Sequence, residues 1–208
     1  MSDLEIFGRH ETKNVADFLK SGGVLAYPSE SVWGLGCDAF DDRAIERIFT
    51  LKARPVHKGL IVLTDEVDRL VPLLVDLPKF LQDELLQRMR ALYNDHDIKT
   101  TVQAQTWLIP VAKSACPPKI LMGGFDTLAV RVTHHKILKS ICQALVCDKN
   151  PYGFLVSTSC NPSGEPSATN LGQAQAYFGD KIAYLDAQTL GFDKPSQIID
   201  VMTGAAVR

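Results

Sequence analysis

Residues 22–63 read GGVLAYPSESVWGLGCDAFDDRAIERIFTLKARPVHKGLIVL, and their apolar spacing changes three times. Val24-Leu25-Ala26-Tyr27 is a short apolar run stopped by Pro28, which has no N–H to give a strand ladder. Residues 29–37 read as a loop. Residues 41–51 then take up helical spacing through Ala44, Ile45, Ile48 and Phe49. Leu60-Ile61-Val62-Leu63 is a second apolar run of strand length. Two buried strands separated by a helix predict a parallel crossover within an α/β sheet.

Upstream, residues 11–23 predict a helix in which Thr12 caps, Val15, Phe18 and Leu19 form the apolar stripe, and Gly22-Gly23 stop the chain. Downstream, residues 65–93 predict two helices divided near Asp76 and Pro78. A polar, aperiodic excursion follows over residues 94–103. Strands are predicted at 107–109, 128–132 and 154–156, with a helix over 135–146 between the last two. The tail predicts a short helix near 169–178 and strands at 182–185 and 197–201.

At 208 residues with 46% apolar and 22% charged side chains, the chain has enough apolar surface for a packed core, and one domain spanning 1–208 is expected. Lys plus Arg number 22 and Asp plus Glu 24, a formal charge of -2, so a surface built throughout for polyanions is excluded and any phosphate site must be local. The opening residues carry acids and no apolar stretch of signal-peptide length, which predicts a cytoplasmic protein. The cysteines, at 37, 116, 142, 147 and 160, are odd in number and contain no C-x-x-C pair, so reduced and mostly buried thiols are expected.

Two segments carry candidate chemistry. Lys52, Arg54, Lys58 and His57 crowd the stretch between a predicted helix and a buried strand. Arg offers a planar fork and Lys a point charge for phosphate or carboxylate, but the same cluster reads equally as a solvated basic helix end favoured by the macrodipole. Pro55 restricts Arg54 to an extended backbone, which suits an aimed side chain. Ser157, Ser159 and Asn161 alternate at the exit of an apolar strand and would share one face if strand geometry persists. They read either as ligand-holding groups beyond a strand end or as a loop held by local side-chain bonds.

Common signatures do not help. G-x-x-x-x-G-K-[ST], H-E-x-x-H and G-x-S-x-G are absent, and Gly34-Leu35-Gly36 lacks the third glycine of a dinucleotide fingerprint. His134-His135 reads as a surface or capping pair, and Cys160, with no base paired to it, as a small buried apolar residue.

The blocks GGVLAYPSESVWGLGCDAF, LKARPVHKGLIVL, FDTLAVRVTHH and LVSTSCNPSG, in this order and rough spacing, closely resemble the YrdC/TsaC family of threonylcarbamoyl-AMP synthases, its stand-alone bacterial branch in particular. The K-x-R of Lys52 and Arg54 followed by the S-x-N of Ser159 and Asn161 is similar to the family's basic and polar tetrad. The resemblance implies a twisted mixed α/β sheet with flanking helices and a large basic concave cavity. It implies condensation of L-threonine, bicarbonate and ATP, with Mg2+, into threonylcarbamoyl-adenylate and pyrophosphate for tRNA modification.

By position within the matched blocks, Lys52, Arg54, Ser159 and Asn161 are implied to be catalytic. Lys52, Arg54, Lys58, Thr127, Ser159, Asn161, Ser167 and Arg208 are implied on the nucleotide, and Ser31, Arg131 and Ser157 on threonine. Downstream threonylcarbamoyl-transfer proteins of the TsaB, TsaD and TsaE type are implied partners, with tRNA or other RNA contact. A non-catalytic RNA-binding module of the same fold is the competing reading.

Three departures accompany the resemblance. Residues 93–105 read YNDHDIKTTVQAQ where family members carry a Trp-Pro-Gly-Pro segment, so a longer cavity-wall loop is expected. Ser29 and Ser31 stand in place of common threonines and keep the hydroxyls. Trp33 replaces a tyrosine or phenylalanine and remains an aromatic able to line a pocket.

Overall fold

The computed structural model describes residues 4–94, 103–115 and 117–207. Among them run strands β1 (Ile6–Gly8), β2 (Leu25–Pro28), β3 (Trp33–Gly36), β4 (Ile61–Thr64), β5 (Gln103–Pro110), β6 (Thr127–Val132), β7 (Leu155–Ser159), β8 (Ala183–Asp186) and β9 (Lys194–Asp200). The helices are α1 (Thr12–Lys20), α2 (Asp42–Lys52), α3 (Lys79–Asn94), α4 (Lys136–Leu145) and α5 (Leu171–Phe178). The strands form a mixed sheet in the order β1-β8-β2-β3-β7-β4-β6-β5-β9.

The expected parallel crossover between residues 24–27 and 60–63 is not formed. Trp33–Gly36, read as loop, is a strand antiparallel to β2, β3 is antiparallel to β7, and β7 is antiparallel to β4. Three reversals leave β2 and β4 running in opposite directions. Glycine is tolerated in β3 because Tyr27 needs the room: its ring lies where a Cβ on Gly34 or Gly36 would be, and a Cβ on Gly36 would also come within 1.9 Å of the Val156 carbonyl oxygen. That same oxygen accepts a hydrogen bond from the Tyr27 hydroxyl at 2.8 Å.

Strand pleating sends alternate residues to opposite faces. Leu25, Tyr27, Leu63 and Leu155 pack with Val15 and Leu19 of α1 and Leu138 and Ile141 of α4. Val24, Ala26, Val62, Val156 and Val130 pack on the other face with Ile45 and Ile48 of α2, Leu85 and Met89 of α3, and Phe178 of α5. The central strands are covered on both sides, which is why their sequences are continuously apolar instead of alternating.

Caps differ in kind. Asp41 caps α2 through its carboxylate, which accepts from the Ala44 N–H at 3.0 Å. Thr12, expected to cap α1, is instead its first helical residue. The carboxylate of Glu11 there accepts from the Gly8 N–H at 2.6 Å, which secures the turn after β1. Residues 95–102, most of the expected excursion, and Cys116 lie outside the described residues.

Candidate functional site

The pleat also builds the site. Ser157 and Ser159 of β7 have the parity of Leu155, and Ile61 has that of Leu63. Arg131, opposite Leu63 in the β4–β6 register, points the same way. These side chains therefore leave the sheet on the face that α1 and α4 pack against. A cavity of about 260 Å³ lies there, with Ile61, Ser157, Ser159 and Arg131 in its wall. The β2–β3 turn adds Ser29 and Ser31, the start of β3 adds Trp33, the segment after α2 adds Arg54, and Ser167 and the β9 residue Ser196 complete a hydroxyl-rich lining without an acid.

Arg54 reaches the cavity through an unusual helix end. The Arg54 N–H bonds the Phe49 carbonyl at 3.0 Å and the Ala53 N–H bonds the Thr50 carbonyl at 3.1 Å, with Ala53 left-handed at φ 48. This is a Schellman stop with alanine in the place that glycine usually fills. Ala53 is the only non-glycine with positive φ among the described residues, and such a conformation costs about 1–2 kcal/mol. The turn separates neighbours: Lys52 goes inward and Arg54 to the cavity. The Arg54 guanidinium donates to the Gly59 carbonyl at 2.9 Å and the Lys58 carbonyl at 3.3 Å. Gly59 holds φ 56 with the Leu121 carbonyl 2.9 Å from where a Cβ would sit, so only glycine fits this return into β4.

Lys52 is only 2% exposed and lies outside the cavity lining. Its ammonium donates to the Ser159 carbonyl, to the Asn161 carbonyl at 2.6 Å and to the Asn161 Oδ1 at 3.2 Å. An ammonium has three N–H donors, and these three oxygens occupy all of them. Asn161 in turn donates to the Pro162 and Glu165 carbonyls. The K-x-R and S-x-N blocks do meet, but Lys52 and Asn161 form a clamp behind the wall while Arg54 and Ser159 face the cavity. Burial pulls the Lys52 ammonium down to about 8, with Cys160 opposing and Arg54 adding to the shift. Burial likewise pushes the Cys160 thiol up to about 12, which leaves it a packed, inert group.

Of the other expected residues, Ser31, Arg131, Ser157 and Ser167 line the cavity. Lys58 is exposed in a single 3-10 turn, and Thr127 is half-buried at the start of β6; neither lines it. Arg208 lies outside the described residues. His135 is buried and bonds the Gln188 carbonyl at 2.9 Å, and His134 stacks on Tyr93 with centroids 5.0 Å apart.

Glu30 was not singled out by the sequence reading. It is 1% exposed, and its carboxylate accepts from Arg131 Nη1 at 2.9 Å, from the Thr133 hydroxyl at 2.6 Å and from the His134 N–H at 3.2 Å. Burial alone would raise the Glu30 carboxyl, but the Arg131 charge and the Thr133 hydroxyl bond outweigh it and hold it below its ordinary value. Thr106 and Ser196 contact the same guanidinium. The sequence signal for a partner was Arg131 itself, a fixed cation inside the apolar strand LAVRV, but 24 acids compete for that role.

Comparison with known proteins adds descent to this geometry. The Sua5/YciO/YrdC family model, described as telomere recombination, matches residues 17–208. The chain belongs to this family. A threonylcarbamoyl-AMP synthase of Moraxella catarrhalis is 52% identical over 204 residues, 98% of each chain. One of Psychrobacter cryohalolentis is 44% identical over 206 residues, 95% of each. P. abyssi Sua5, solved in complex with L-threonine, superposes with a TM-score of 0.75 at 25% identity, covering 96% of this chain and 54% of that one. E. coli YciO, at 19% identity and a TM-score of 0.73, shares the fold across the whole chain. The mixed sheet with flanking helices is thus the family's architecture. No helix among the described residues is long and apolar enough to cross a membrane.

Proposed function

We propose that this chain is a threonylcarbamoyl-AMP synthase: it joins L-threonine, bicarbonate and ATP into threonylcarbamoyl-adenylate, pyrophosphate and water. The observation that carries this is one cavity holding Arg54, Arg131 and the serines of the β7 exit, in a chain 52% identical to a protein of that name along nearly its whole length. Two guanidinium groups in a wall without acids suit two anionic substrates. A non-catalytic RNA-binding role explains less, since it gives no reason for a carboxylate-paired arginine inside a small cavity.

The chemistry asks for positioning and charge neutralisation. The threonine amine forms a bond to the carbon of CO2 derived from bicarbonate, releasing its proton to solvent. An oxygen of the resulting carbamate then attacks the α-phosphorus and breaks its bond to the pyrophosphate oxygen. Arg54 would stabilise charge on the phosphates, with Ser159 and Ser167 as hydroxyl donors. Arg131 would hold the threonine carboxylate, with Ser31 and Ser157 orienting the amino acid. Lys58, Thr127, Asn161 and Arg208 remain nucleotide candidates by family resemblance, and the clamp gives Lys52 and Asn161 a part in fixing the Ser159 backbone.

Mg2+ would enter on the triphosphate. Among the described residues no group of three or more His, Cys, Asp or Glu could hold a metal ion, and a cation that keeps its waters and binds through phosphates needs none. The product would pass in the cytoplasm to threonylcarbamoyl-transfer partners acting on tRNA.

The test is pyrophosphate release with each substrate left out in turn. Release that needs ATP, threonine and bicarbonate together, and that falls at least about 100-fold in Arg54→Ala, supports the reading. Threonine-independent release, or full activity in that variant, contradicts it.

A further inference from the structure

The Arg131 guanidinium is held on three sides. Its Nε donates to the Thr106 hydroxyl at 3.2 Å, Nη1 to Glu30 at 2.9 Å and Nη2 to the Ser196 hydroxyl at 3.0 Å. The Thr106 hydroxyl donates in turn to that of Ser196 at 2.9 Å, which ties β5 to β9 beside the arginine. Glu30 is itself fixed by Thr133 and the His134 backbone. A guanidinium has five N–H donors, and three are used by these bonds. Among the described residues nothing takes the other two, one on each terminal nitrogen, on a side chain that is 10% exposed and lines the cavity.

We propose that Glu30 and Thr106 are positioning residues that lock Arg131 as a two-pronged reader of a free amino-acid carboxylate, and so set the site's selectivity for that group. The proposal deepens the functional reading and rests on Arg131 belonging to the threonine site. Two leftover N–H donors on one planar group match two carboxylate oxygens, and a fixed plane loses little freedom when they bind. Glu30 matters for selection as well as for position. Its charge already neutralises Arg131, so a polyphosphate, drawn by net charge, gains little there, while a carboxylate is read by donor geometry. Glu30 and Thr106 lie outside the cavity wall and act through Arg131, whereas Ser196 both bonds the guanidinium and lines the wall.

The experiment is equilibrium binding by calorimetry of L-threonine and of L-threoninamide, which keeps the amine and side chain but lacks the carboxylate, to the wild-type protein, Glu30→Gln and Thr106→Val. The wild type is expected to prefer threonine by at least about 100-fold, because unpaired donors penalise the amide. Thr106→Val, which keeps the side-chain shape and removes the acceptor of Arg131 Nε together with the tie to Ser196, should cut that preference about 3–10-fold, and Glu30→Gln by more than tenfold, while ATP affinity changes less than about twofold in both. A purely structural role lowers the fraction of competent protein and leaves the ratio of the two ligands intact. An unchanged ratio in Thr106→Val, the milder change and the one to rely on should Glu30→Gln not fold, overturns the proposal. A wild type that binds both ligands equally also overturns it. A wild type that selects threonine yet releases no pyrophosphate removes the proposed activity and leaves this inference standing.

Discussion

Replacing Lys52 by Met keeps the length and apolar stem of the side chain and deletes the ammonium. Two oxygens, the Asn161 carbonyl and Asn161 Oδ1, then lose their donor in a site where Lys52 is only 2% exposed, while the Ser159 carbonyl keeps the Asn161 N–H at 3.0 Å. Each buried acceptor left unpaired costs about 1 kcal/mol or more, so the loss should be about 2 kcal/mol before relaxation. For a chain of this size that is a fall of about 4–8 °C in Tm. Circular dichroism melts at pH 7 measure it. The pH dependence tests the cause. Burial holds Lys52 at about 8, below its ordinary 10.5. Between those values the unfolded chain holds a proton that the folded chain has released, so wild-type stability rises with pH through that window. The gap between wild type and Lys52→Met should therefore widen from about pH 8 to about pH 10. A variant as stable as wild type refutes the clamp, and a gap that narrows over that window refutes burial as the dominant influence on the ammonium.

Tyr27→Phe removes the hydroxyl bonded to Val156 and should cost about 1–2 kcal/mol in urea unfolding; no loss would mean that the oxygen finds another donor. Ala53→Gly relieves the left-handed alanine at φ 48 and should be neutral or up to about 1 kcal/mol stabilising, whereas Ala44→Gly, inside α2, should cost at least about 1 kcal/mol. Equal losses at both positions would contradict the Schellman stop. The Glu30 carboxyl lies below its ordinary 4.5, so it contributes stability above that pH that is lost as the pH falls through the folded value. The urea midpoint of the wild type should accordingly drop more steeply than that of Glu30→Gln below about pH 4.5.

The sequence was most legible where a strand is buried on both faces. Leu60 to Leu63 stands out because no polar residue breaks the run, and Leu128 to Val132 because Arg131 alone interrupts it. β3 was hidden because its two glycines, close after Ser29 and Ser31, read as a turn; the glycines make room for the ring of Tyr27 on the neighbouring strand. That one missed strand inverted the expected relation of β2 and β4. β1, three residues long, has too few positions for a pattern.

At the site, Ser157 and Ser159 were placed correctly on one face by alternation. Asn161 lies past the end of β7, where the period of two no longer holds, and it turns to Lys52. Charge counting brought Lys52 and Arg54 to notice together but could not separate them, because the left-handed Ala53 that sends one inward and the other to the cavity has no signature in composition. Glu30 stayed hidden between two serines, since a buried ion pair is a property of two segments 101 residues apart.

The proposed activity predicts a specific fate for one carbon atom. Incubation of the protein with ATP, Mg2+, L-threonine and 13C-labelled bicarbonate, followed by mass spectrometry of the adenylates, should give a threonine-containing AMP conjugate one mass unit heavier than that from unlabelled bicarbonate, in step with pyrophosphate. An adenylate of threonine without the added carbon, or labelled bicarbonate that never enters a nucleotide, would contradict the assignment.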